Sequence, residues 1–141
     1  MEFYRAEAKE RGYTVGGTAE DHYNNAITAS ILSWGGTDAD ATAYLAQPGV
    51  AYATAAGTWQ RKIGTQAWIA FYTRGLEGYT EWRRLDYPIF NLATTITNYN
   101  EIPKRFTYPV NEQTLNKVNY TSAAAAIGGD LLITKLFWDK F

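Results

Sequence analysis

From its start the chain repeats apolar residues at steps of three and four, the spacing that gives a helix one apolar face. Residues 1–13 carry Phe3, Ala6 and Ala8 among many charges and stop at Gly12, which predicts a first helix. After the turn Thr14-Val15-Gly16-Gly17, Thr18 is a good N-cap with Asp21 behind it, a weaker relative of the Ser/Thr…Glu capping box. The helix it opens sets Ala19, Tyr23, Ala26, Ile27, Ser30, Ile31 and Trp34 on one small-and-apolar face and ends at Gly35-Gly36. Two such helices on a short loop predict an antiparallel hairpin, and the alanines allow the close crossing of helical-repeat proteins. Only one copy is visible, so no repeat period follows.

Thr37 with Asp38 and Asp40 predicts a short capped helix through Leu45, ended by Pro48-Gly49. A loop is expected over 50–57. Thr58 then caps what reads as the longest helix, 59–86, which Tyr87-Pro88 prevents from continuing. From 91 to 120 Asn, Thr, Tyr and Pro dominate, predicting ordered loop with an extended segment or short strand at 104–108. A brief helix fits 122–127 before Gly128-Gly129, and 131–138 form a last short apolar element. The fold class expected is mostly α: a helical hairpin resembling tetratricopeptide repeats, one long buried helix and a loop-rich C-terminal region, over 1–141 as a single domain or fragment.

On a helical wheel, Trp68, Phe71, Tyr72, Gly75, Leu76, Tyr79 and Trp82 share an arc of about 140°, which is expected to face the core. Arg74, Glu77, Glu81 and Arg84 share another of about 80°, where two cations and two anions neutralise one another. Arg83 falls inside the apolar arc and is expected to join a buried or interfacial pair, completing a structural ion network. Glu77 and Glu81 are the one carboxylate pair suggestive of a glycosidase, but neighbours on one helix face do not supply the two opposed walls of a cleft. Gly75 and Gly78 would each weaken a helix by about 1 kcal/mol, so close approach of another backbone is expected there.

Composition sharpens this picture. With 19% charged residues and a formal net charge of −1, the chain has no general basic affinity for nucleic acid. The absence of cysteine removes thiolate catalysis and cysteine-ligated zinc, and no Gly-rich phosphate loop or His-Glu-x-x-His pattern is present. The single histidine, His22, reads as a surface or capping residue rather than a metal ligand, and Asp38 and Asp40 as helix N-terminal charges rather than a calcium site. No metal or cofactor is expected. Asn119-Tyr120-Thr121 matches a glycosylation acceptor and is read as chance. The aromatic share, 16% with five Trp, eleven Tyr and six Phe, is the outlier, and such rings serve cores, interfaces and carbohydrate stacking alike.

In five ordered segments the chain resembles the SusD/RagB group of outer-membrane nutrient-binding lipoproteins of Bacteroidetes. "FYRAEAKERGYTVGGTAEDHYNNAITASILSWG" is similar to the family's late helical-repeat pair, "AYLAQPGVAY" to the linker after it, and "IGTQAWIAFYTRGLEGYTEWRRLDYP" to its long helix. "IPKRFTYPVNEQTLNKVNY" and "GGDLLITKLFWDKF" resemble its closing segments. The resemblance implies the C-terminal portion of a longer, lipid-anchored protein at the cell surface, with signal peptide and lipidated cysteine outside this sequence. It also implies glycan or other nutrient binding without catalysis, above a TonB-dependent barrel transporter of the SusC type.

The candidate stacking platforms are the rings outside the periodic helix faces: Tyr52, Trp59, Tyr87 and Tyr99. The rival expectation is a helical-repeat module that holds a protein partner rather than a sugar. A hairpin that packs on absent repeats should expose its apolar flank and self-associate. Phe141 resembles the ending of barrel proteins, but no series of alternating strands precedes it.

Overall fold

The computed structural model describes residues 1–91 and 101–140, and the chain divides into two compact units, 1–88 and 89–141. The first unit holds α1 (Glu2–Glu10), α2 (Ala19–Ser33), α3 (Asp38–Leu45), α4 (Trp59–Ala70) and α5 (Gly75–Leu85). The second holds α6 (Val110–Leu115) and α7 (Lys117–Ala126), and no strand occurs among the described residues. The chain is mostly α, as its periodicity predicts.

Two helix starts follow from local chemistry. Thr18 Oγ1 accepts from the Asp21 N–H at 3.0 Å while the Asp21 carboxylate accepts from the Thr18 N–H at 2.9 Å, a complete reciprocal box. Thr37 and Asp40 repeat it at the start of α3, at 3.2 and 2.8 Å. Gly35, at φ 86°, then turns the chain between α2 and α3 in the left-handed region that glycine enters without strain. In this unit α1 packs on α2 and α4, α2 on α3 and α4, and α5 on α4. Phe3, Ala6, Tyr23, Ala26, Ile27, Val50, Ile63, Ala67 and Leu85 make the core, with the small alanines allowing close helix contact. The Tyr23 hydroxyl, fully buried, donates to the Val50 carbonyl at 2.7 Å, so the polar end of a core ring is satisfied.

The long helix over 59–86 does not form. Residues 71–74 are a turn, Phe71 closes α4 and Arg74 precedes α5. The reason is tertiary: α5 doubles back on α4, which brings Leu85 to complete burial, worth about 1.5–3 kcal/mol for a leucine side chain. Gly64 permits the return, since a Cβ there would lie 3.3 Å from the Leu85 and Tyr87 Cβ atoms and from the Tyr87 carbonyl oxygen. The expected wheel face therefore breaks up. Trp82 is buried and Phe71 packs on the core, but Tyr72 is 81% and Leu76 83% exposed. Gly75 has open space around it rather than a neighbouring backbone, while Gly78 lies in ordinary contact with Phe71.

In the second unit the brief helix expected at 122–127 is the end of the longer α7, 110–120 is helical rather than loop except at Asn116, and 131–138 forms turns rather than a regular element. Asp130 is its hub. It pairs with Arg105 at 3.2 Å and accepts from the Tyr108 N–H at 3.0 Å. The Lys104 and Arg105 N–H groups both donate to the Leu132 carbonyl, at 2.7 and 3.1 Å, so 104–108 is tied down without joining a sheet.

Candidate functional site

The feature best suited to a ligand lies in the first unit, where the second half of α2 faces α3 and α4. A cavity of about 420 Å³ opens there, within the roughly 300–1,000 Å³ of small-molecule sites. Phe3, Ile27, Ile31, Ile69 and Ala70 form its apolar walls, and Ser30, Asp40, Tyr44 and Gln66 its polar positions. Gln66 is only 7% exposed, and its side-chain oxygen accepts from the Tyr44 hydroxyl at 3.1 Å. That bond fixes both groups at the cavity lining and leaves the tyrosine oxygen with lone pairs to offer.

Trp34 stands at the mouth. It follows the last turn of α2 as its C-cap, and the helix end leaves its ring 57% exposed. Tyr72, carried by the turn between α4 and α5, sets its ring at 62° to that of Trp34 with centroids 6.4 Å apart. A second, wider depression of about 750 Å³ shares Phe3, Ser30, Trp34 and Ala70 with the first and adds Tyr4, Ser33, Thr73 and Arg74. Trp34 is thus common to an apolar cavity and a more polar shelf. An exposed indole face beside hydroxyl, amide, carboxylate and guanidinium groups can stack on a flat apolar surface and hydrogen-bond its polar rim.

Behind the shelf lies a buried ion cluster. Arg84 pairs with Glu81 at 2.6 Å and also with Glu7, whose Oε1 it shares with Arg11 Nε at 2.7 Å. Both carboxylates are buried, so the guanidinium offsets their desolvation and ties α5 to α1. Burial and the neighbouring Glu81 carboxylate push the Tyr4 hydroxyl up to about 12. Its phenol therefore stays a neutral hydrogen-bonding group at any physiological pH.

Of the ion-network residues expected from sequence, the structure brings Glu81 and Arg84 together. Arg74 lines the shelf, Glu77 is exposed on α5, and Arg83 lies with its guanidinium carbon 4.6 Å from the centre of the Tyr79 ring. Of the stacking candidates, Tyr52 is packed against the core, with the Tyr23 ring at 4.9 Å, Lys62 Nζ 5.0 Å from its ring centre and its hydroxyl on Glu10 at 2.5 Å. Trp59 also packs on the core and carries the Arg11 guanidinium at 5.3 Å. Tyr87 is half-buried against Gly64, and Tyr99 lies outside the described residues. None of the three described candidates lines the trough.

His22 is not a surface or capping residue. It is buried, with Nδ1 on the Glu2 carboxylate at 2.6 Å and Nε2 on the Gly16 carbonyl at 2.5 Å. Both partners only accept, so the imidazole carries both protons, and the Glu2 hydrogen bond raises its pKa above the ordinary histidine value. Among the described residues no cluster of His, Asp and Glu could hold a metal, and no helix is long and apolar enough to cross a membrane.

Sequence reasoning assigned Trp34 and Tyr72 to core faces and so missed them. The available signal was position: Trp34 sits immediately before Gly35-Gly36, where α2 can no longer cover it.

Residues 1–109 match a SusD-like family described as "Starch-binding associating with outer membrane". Among solved structures, a Bacteroidetes SusD-like protein is 32% identical, with a TM-score of 0.81 over 99% of this chain and 29% of its own. A chitin-binding protein is 34% identical, with a TM-score of 0.72, again over 99% of this chain and 32% of its own. A chitin-binding SusD homologue from Flavobacterium johnsoniae is 27% identical with a TM-score of 0.74, over 99% of this chain and 35% of its own. The chain thus spans about a third of the length of these structures. No match is found among curated proteins.

Proposed function

The chain belongs to the SusD-like family, and from that premise we propose that it contributes to glycan capture at the outer-membrane surface, for uptake through a TonB-dependent barrel transporter. The observation that carries this reading is the trough centred on Trp34, whose exposed indole, edge-on to Tyr72, lines both an apolar cavity and a polar shelf. Sugar rings present C–H faces that stack on indole, and hydroxyls that amide, carboxylate and guanidinium groups can meet. The two chitin-binding relatives support a saccharide as the ligand class. Binding is proposed without catalysis: both buried glutamates are held by Arg84 rather than aimed across a cleft.

The test is titration of soluble oligosaccharides into the 141-residue chain, followed by calorimetry and tryptophan fluorescence. A saturable signal that disappears in Trp34→Ala supports the reading, and no binding to any of a chito-, malto- and cello-oligosaccharide panel removes it. Release of new reducing ends during incubation would overturn the non-catalytic part. A second reading, a helical-repeat surface for a protein partner, is favoured by the exposure of Leu32, Ile69 and Leu76. Co-purification with a barrel transporter, indifferent to added saccharide and lost in Leu76→Glu, would select it.

A further inference from the structure

We infer that the cavity beneath Trp34 holds an acetamido subsite at Tyr44 and Gln66, so that the trough selects N-acetylated hexosamine units over plain glucose units. This rests on the glycan reading above and adds the chemical group that decides specificity. An acetamido substituent combines a methyl group with an amide that has one donor and one acceptor. The cavity has the same composition in complement. Its walls include the carbon surfaces of Ile31, Ile69 and Ala70, suited to a methyl group, and two of its four polar positions, Tyr44 and Gln66, pair a hydroxyl with a carboxamide. The Tyr44 hydroxyl already donates to the Gln66 oxygen at 3.1 Å, so its own oxygen is an acceptor for an amide N–H. The Gln66 amide nitrogen is a donor for the carbonyl.

Position agrees with chemistry. Trp34 lies at the mouth and lines both depressions, so a pyranose stacked on its face can direct one substituent into the cavity and its neighbours along the shelf. A glucose unit in the same pose would set a hydroxyl against carbon walls and leave Tyr44 and Gln66 without the amide N–H and carbonyl that an acetamido group brings. Such a site discriminates in the direction of the group it was built to meet. Asp40, at the rim, has one carboxylate oxygen engaged by the Thr37 N–H and hydroxyl at 2.8 and 2.7 Å, and its second oxygen can accept from a sugar hydroxyl.

The experiment compares β-1,4-linked N-acetylglucosamine tetramer with β-1,4-linked glucose tetramer, which differ only in the acetamido groups, by calorimetry on the 141-residue chain. The expected result is a preference of about tenfold or more for the N-acetylated tetramer. That preference should shrink toward parity in Tyr44→Phe and in Gln66→Leu, whereas Trp34→Ala should weaken both ligands. Equal affinity for the two tetramers overturns the inference and leaves the glycan reading standing. So does a preference that survives unchanged in Tyr44→Phe, a variant that removes one oxygen and keeps the ring; it decides the matter alone if circular dichroism shows Gln66→Leu unfolded. Failure of both tetramers, and of the wider panel, would instead sink the glycan reading itself.

Discussion

Arg84 and His22 show how much a single side chain can depend on residues far away in sequence. Arg84 reaches Glu7, 77 positions earlier, as well as its helical neighbour Glu81. Only the second contact was legible, from i,i+3 spacing. Arg84→Ala would leave two buried carboxylates without their shared cation, and urea unfolding should show a loss of about 3 kcal/mol, the lower end for a broken buried pair because Arg11 still holds Glu7. A loss under about 0.5 kcal/mol would show that the cluster is solvated and contributes little. For His22 the direction of the pH effect follows from the raised pKa. The folded state holds the imidazolium proton more tightly than the unfolded chain, so this contribution is complete below the unfolded value of about 6.5 and is lost as pH rises through the folded pKa. Glu2, whose pKa the His22 hydrogen bond lowers, contributes above its unfolded value and loses that contribution as pH falls through its folded pKa. The urea midpoint should therefore decline as pH rises above about 6.5, and His22→Gln should abolish that decline. An identical slope in the variant would place the proton elsewhere.

At the scale of elements, the starts of α2 and α3 were readable because Thr18 with Asp21 and Thr37 with Asp40 settle their hydrogen bonds within four residues. The break between α4 and α5 was not, since nothing local forbids a helix through 71–74. Gly64 was missed for the same reason. It reads as a mid-helix weakness, yet it is the point where Leu85 and Tyr87 come against α4. Gly64→Val should lower stability by about 2 kcal/mol through overpacking against backbone that cannot move aside. Gly75→Ala, where a Cβ meets nothing, should leave the urea midpoint unchanged or slightly higher. If both variants match the parent, the return of α5 onto α4 is looser than these contacts describe. In the second unit α6 and α7 bury no residue, so no apolar stripe marked 110–120 in the sequence, where Asn116 resembled loop, and only the alanine-rich end of α7 was legible as helix.

For the whole molecule, the two units draw on different chemistry. The core residues all lie within 1–88, where small and branched side chains interdigitate. The second unit is organised around Asp130 and its polar contacts, while Phe106, Leu115, Val118 and Phe137 remain exposed. The sequence by itself determined the helical class, the capped hairpin and the family, because periodicity, capping pairs and ordered segments are local and linear properties. Tertiary structure alone decided which aromatic rings were left in the open. Tyr52 and Trp59, outside every periodic face, were drawn onto the core, while Trp34 and Tyr72, on faces that looked buried, were released by the end of α2 and the turn after α4. Whether a ring is covered depends on which element returns to lie over it, and that is fixed by long-range packing rather than by the residues beside it.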